Sequence, residues 1–151
     1  MNNNAKTTWI LVAHRAGAAL YESRGPGGPF PEIEHIEHPR GRLKPGEVNS
    51  DRPGRAFDRV GGGRHAMAVE ESADQRIEHE FVLQLVERIE RGRAEGAFDR
   101  FVLVAPPKML GRLRDALPQP LRPLLAGTLA KDLAHGGGED VRRHVGEIVL
   151  V

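Results

Sequence analysis

The sequence contains no cysteine. Disulfide scaffolds, thiol catalysis, Cys-ligated zinc and iron–sulfur clusters are excluded together. Net charge is only +1 at pH 7, so nothing in the bulk electrostatics argues for nucleic acid. No apolar run approaches the roughly 20 residues that cross a bilayer as a helix; the run from Trp9 to Ala13 is far shorter. The N-terminus, MNNNAKTTWILVAHR, lacks the basic n-region and the apolar core of about 7–15 residues that mark a secretory signal. The expectation is a cytoplasmic chain without membrane insertion. Serine occurs only as Ser23, Ser50 and Ser72, and none lies in a Gly-x-Ser-x-Gly elbow. The glycine runs lack the Gly-Lys-Ser/Thr ending of a nucleotide-binding loop, and Asp51 to Asp58 does not match a calcium loop. No catalytic constellation, metal site or cofactor is expected.

What is present is a globular composition, with 39% apolar and 28% charged residues over 151 positions. That length suits one domain spanning 1–151, with a flexible N-terminus over 1–6. It also needs no metal or disulfide staple to fold.

Hydrophobic patterning divides the chain into elements. Thr8–Ala13 (TWILVA) is a continuous apolar run, the mark of a buried central strand. The turn Arg15-Ala16-Gly17 and the strand Ala18–Ser23 complete a hairpin. Residues 24–31, RGPGGPFP, cannot be regular. Glu32–His38 reads as a short edge strand, although Ile33 and Ile36, three apart, fit neither period. Residues 39–66 form a long basic loop punctuated by glycine and proline. Glu70–Ala94 then sets Ile77, Phe81, Val82, Leu85, Val86 and Ile89 on one stripe of an amphipathic helix, ended by Gly92 or Gly96. Phe98–Ala105 is a strand halted by Pro106-Pro107, and Lys108–Leu117 a helix with Pro107 at its first position. Leu124–His135 suits helix or strand equally, and Glu139–Ile148 makes a last helix with acids at its start.

Candidate chemistry is sparse. His35 and His38 stand among Glu32, Glu34 and Glu37, but no metal-ligand spacing results, and exposed polar alternation on an edge strand accounts for them. His79, between Glu78 and Glu80, reads as part of a solvated helix face. The exceptional stretch is DRPGRAFDRVGGGRHA, Asp51 to Ala66. Arg52, Arg55, Arg59 and Arg64 present guanidinium forks suited to phosphate. Gly61, Gly62 and Gly63 would let the backbone approach a ligand, with His65 beside them. Arg40, Arg42 and Lys44 precede them, against Glu47, Asp51 and Asp58. The same residues would also serve as a solvated loop tied to the body by Arg–Asp pairs. Phe57 is the one aromatic available for stacking, which argues against sequence-specific reading of single strands.

WILVAHRAGAALYES, SDRPGRAFDRVGGGRHA, FDRFVLVAPPKMLGRLRDAL and LAKDLAH, in this order, closely resemble a bacterial family of host attachment proteins, described as required for attachment to host cells. The order strand–turn–strand, basic glycine-rich loop, long helix, strand, strand, Gly-Gly and helix is also similar, more distantly, to the middle domain of archaeo-eukaryotic release factors and Pelota. In release factors the loop carries Gly-Gly-Gln. Here Gly61-Gly62-Gly63-Arg64-His65 stands in its place, so peptidyl-tRNA hydrolysis is not implied. The second resemblance implies an α/β domain with a mixed central sheet of about five strands flanked by helices, and makes Leu124–His135 a strand. Three functions are consistent with these readings. The first is a non-enzymatic module contacting ribosomal RNA or tRNA through Arg52, Arg55, Arg59, Gly61, Gly62, Gly63, Arg64 and His65. The second is a factor binding another protein in attachment. The third is a hydrolase using His65 as base, for which no nucleophile can be named. Oligomeric state is left open.

Overall fold

The computed structural model describes residues 6–42, 72–134 and 136–151. Thr8–His14 (β1) and Gly17–Ser23 (β2) pair antiparallel from Thr8↔Ser23 to His14↔Gly17, as the hairpin reading expects. Glu32–Glu37 (β3) adds to β2, and Arg100–Ala105 (β4) joins β1 in parallel. Leu125–Ala130 (β5) follows in parallel on β4, so the sheet runs β3-β2-β1-β4-β5. Three helices are described, Ala73–Ala94 (α1), Pro107–Ala116 (α2) and Gly138–Val145 (α3). The chain is therefore α/β with a mixed five-stranded sheet.

Side chains of a strand point alternately to its two faces, and both faces here are covered. Trp9, Leu11, Leu20, Phe101 and Leu103 pack with Phe81, Leu85 and Ile89 of α1 and with Met109, Leu110 and Leu113 of α2. Ile10, Val12, Tyr21, Val102 and Val104 pack with Val141 and Val145 of α3 and with Val149 and Val151. This double cover is why β1 and β4 carry no polar alternation. Every residue of the predicted α1 stripe is buried.

Several element ends differ from the patterning. Ser72 has extended backbone, and its hydroxyl accepts from Gln75 N at 3.1 Å while Gln75 Oε1 accepts from Ser72 N at 2.9 Å. This capping box starts α1 at Ala73; the predicted start at Glu70 lies outside the described residues. Gly92 does not stop the helix. Gly96 does, at φ +71°, with Gly96 N donating to Arg93 O and Ala97 N to Gly92 O at 3.0 and 2.9 Å. The left-handed glycine and this bond pair form a Schellman termination. β4 starts at Arg100 rather than Phe98, whose ring instead meets Trp9 at a centroid distance of 4.8 Å. β5 ends at Ala130, short of the predicted His135, because its pairing ends at Ala105↔Ala130, where β4 gives way to Pro106 and α2. The last helix ends at Val145, and Gly146 leads a turn through Ile148.

The odd spacing of Ile33 and Ile36 has a structural cause. Leu20 faces Glu34 and Tyr21 faces Glu32, so Ile33 is an extra residue in a β-bulge. One inserted residue shifts the alternation, leaving Ile36 buried and Ile33 exposed.

Gly92 matters for packing rather than termination. A Cβ at this position would collide with the Trp9 indole and lie 3.2 Å from Phe98. Gly92→Ala gains about 1 kcal/mol of helix propensity but overpacks this contact, and a net loss of about 1–2 kcal/mol is expected. Urea denaturation measures it. A raised midpoint would mean that the indole shifts at little cost.

Candidate functional site

β1 and β4 are parallel and end side by side, with Val12 opposite Val104. The turn after β1, the start of α2 after β4, and the start of α1 therefore gather at one end of the sheet. Crevices in open α/β sheets form outside the carboxyl ends of parallel strands. Here a cleft of about 400 Å³ opens there, lined by residues including Arg15, His38, Asp74, Glu78, Lys108 and Arg112.

Each wall is held by a definable contact. A 3-10 turn, Pro39–Arg42, follows β3, and Gly41 sits in it because a Cβ there would strike the Arg15 carbonyl. His38 Nδ1 lies 2.8 Å from Arg15 O. A carbonyl only accepts, so Nδ1 carries the proton of this hydrogen bond. The ring stacks flat on Phe81, with centroids 4.1 Å apart and planes 1° from parallel. His38 is thus a packed wall of the cleft, which corrects its reading as exposed edge alternation; His35 does stand exposed between Glu32 and Glu37, at 3.3 and 2.8 Å. His79 is exposed on α1, as expected.

The charges are mostly compensated. Arg15 Nη2 lies 3.5 Å from Asp74 Oδ1, and Arg112 Nε lies 3.1 Å from Glu78 Oε2, joining α2 to α1. Arg40 reaches Glu80 at 3.4 Å on the rim. Lys108, at the second position of α2, is exposed and makes no ion pair among the described residues. It stands where the helix end also favours an anion. Among the described residues the lining offers Arg15, Lys108 and Arg112 as donors for an anion.

The sequence-predicted residues Arg52, Arg55, Arg59, Gly61, Gly62, Gly63, Arg64 and His65, with Phe57, lie outside the described residues. Their segment leaves the described chain after Arg42 and returns at Ser72, and both ends border the cleft through Gly41 and Asp74. Arg15, Lys108 and Arg112 escaped the sequence reading because the turn after β1 and the helix α2 that carry them are more than ninety residues apart.

The sequence match to known proteins follows this architecture. A family described as "Protein required for attachment to host cells" matches residues 9–145. The chain belongs to this family. The match begins in β1, ends on the last residue of α3, and includes the segment between Arg42 and Ser72. Among curated proteins, none matches the chain. No helix among the described residues is long and apolar enough to cross a membrane.

On the opposite sheet face a recess of about 110 Å³ brings together His14, Tyr21, Glu32 and His35. Among the described residues no group of three His, Asp or Glu is arranged to hold a metal. Burial, and then the Glu32 carboxylate, push the Tyr21 hydroxyl above its ordinary pKa. Between the ordinary value of about 10 and the raised one, the folded state keeps a proton that the unfolded state loses, so stability falls as pH rises through that window. Tyr21 is the sole tyrosine, so phenolate absorbance reports it directly. A midpoint at or below that of free tyrosine would contradict this environment.

Proposed function

We propose that the chain is a non-enzymatic binding module that contacts RNA, on the ribosome or as tRNA, through the phosphate backbone. The contact surface comprises Arg52, Arg55, Arg59 and Arg64 with Gly61, Gly62, Gly63 and His65, assisted by Lys108 and the cleft arginines. The observation that carries this reading is the position of the segment's two ends. Both border a cleft whose Lys108 makes no ion pair among the described residues, while Arg15 and Arg112 are paired with Asp74 and Glu78, so Lys108 is the cation the cleft itself adds for a polyanion. The reading extends to a release-factor-like middle domain, an arrangement that calls for a strand within residues 124–135, where β5 lies. Such contacts are made inside the cell, and they dominate affinity and make it salt-dependent.

The test is sedimentation of cell lysate through sucrose at low and high salt, with detection of this protein. Co-migration with ribosomal particles that is lost at high salt is the expected result. Migration only at the top of the gradient at both salts would sink the RNA reading.

A second reading is favoured by family membership, namely a factor that binds another protein or an envelope component during attachment to host cells. Recovery with the envelope fraction, indifferent to salt and nuclease, would select it.

A further inference from the structure

We propose that the cleft at the carboxyl ends of β1 and β4 is a site for a single nucleotide, its phosphate held by Lys108 and Arg112 and its base laid against His38 and Ile77. This rests on the reading of the cleft as a phosphate contact, and not on the segment between Arg42 and Ser72.

The α2 side of the cleft points to an oxyanion. Lys108 and Arg112 are one helical turn apart, and both line the cleft. Like charges at that spacing weaken a helix, and among the described residues only one of the two is compensated. Arg112 meets Glu78 through Nε at 3.1 Å. Its Nη groups, with the Lys108 ammonium, are left for a phosphate.

The rest of the lining selects what that phosphate is attached to. Ile77 brings an apolar surface, and with Ala73 it forms a small buried cluster apart from the two main ones. His38 supplies a fixed flat ring, since Nδ1 is bonded to Arg15 O and one face lies on Phe81. Bases of any identity stack on such a surface. Asp74 and Glu78 stand on α1 beside Ile77. They would repel a ligand anionic throughout, yet they accept hydrogen bonds from the N–H groups along a base edge. At about 400 Å³ the cleft is far larger than a bare phosphate needs, and it falls within the range of about 300–1,000 Å³ that small-molecule sites occupy. A ligand anionic at one end and planar at the other, with N–H donors, is a nucleotide, either free or within an RNA chain.

NMR titration of the purified full chain with nucleoside 5′-monophosphates, and in parallel with ribose 5-phosphate, tests this. Saturable shifts of the His38 ring resonances are expected with the nucleotides. Ribose 5-phosphate should bind about tenfold more weakly and leave those resonances in place, because it lacks the stacked base. Lys108→Glu should raise the dissociation constant of each nucleotide about tenfold. Its far-UV circular dichroism should be unchanged, since an acid suits the first turn of a helix. Displacement of the nucleotide by a short RNA assigns the site to a nucleotide within RNA; binding that RNA does not displace assigns it to a free nucleotide. No saturation up to millimolar nucleotide, ribose 5-phosphate binding as tightly as the nucleotides, or binding indifferent to Lys108→Glu would overturn the proposal. Nucleotide binding by a chain that stays at the top of the gradient at both salts would remove the RNA reading alone. Salt-dependent co-migration without nucleotide binding would remove this site alone.

Discussion

Phe81→Ala is expected to destabilise the chain by about 3–5 kcal/mol, as a buried aromatic truncation leaves a cavity its neighbours cannot fill. Phe81 is 1% exposed and belongs to the cluster that joins α1 and α2 to the sheet. At this chain length each kcal/mol moves the midpoint by about 3 °C, so thermal unfolding should begin roughly 10–15 °C earlier. The substitution also reaches the cleft, because His38 rests on the Phe81 ring. Phe81→Leu keeps most of the volume but gives up the stacked ring. It should therefore recover most of the stability, while the His38 ring resonances still shift from wild type. A melting point lowered by only a degree or two in Phe81→Ala would mean that the core repacks around the gap. Unchanged His38 resonances in Phe81→Leu would mean that the stacking does not hold the histidine.

Replacing Arg52, Arg55, Arg59 and Arg64 together with alanine should remove the salt-dependent part of RNA binding. Each phosphate contact contributes roughly 0.7–0.9 to the slope of log K against log salt, so losing four flattens it by about 3–4. Lys108→Ala, one contact at the start of α2, should flatten it by about 1 without changing any preference between RNAs. Fluorescence anisotropy with labelled tRNA at several salt concentrations separates these outcomes. A quadruple variant that binds with the wild-type slope would remove the segment from the RNA contact. A flattened slope for Lys108→Ala alone would leave the cleft as the contact and the segment as solvated structure.

Where one period dominated, the elements were legible from the residues. The α1 stripe from Ile77 to Ile89 is buried throughout because only a helix puts those positions on one face. The run from Trp9 to Ala13 announced a central strand because both sheet faces are covered. β3 resisted reading, since a bulge at Ile33 is a matter of pairing and leaves no periodic trace. Gly92 and Gly96 looked interchangeable as helix stops. Only Trp9, more than eighty residues away in sequence, distinguishes the glycine that makes room from the one that takes a positive φ.

The sequence by itself determined the α/β class, the family, the hairpin followed by a long helix and a strand–Pro-Pro–helix unit, and the basic character of residues 39–66. These rest on composition and short-range pattern, which the chain carries before it folds. Tertiary structure decided the rest. Arg15, Lys108 and Arg112 come from a turn and one helix more than ninety residues apart, and they share a cleft only because parallel pairing of β1 with β4 ends both strands on the same side of the sheet. Likewise, β5 became the uncharged edge because it pairs β4 on one side only, and no local pattern encodes which strand lies last in a sheet.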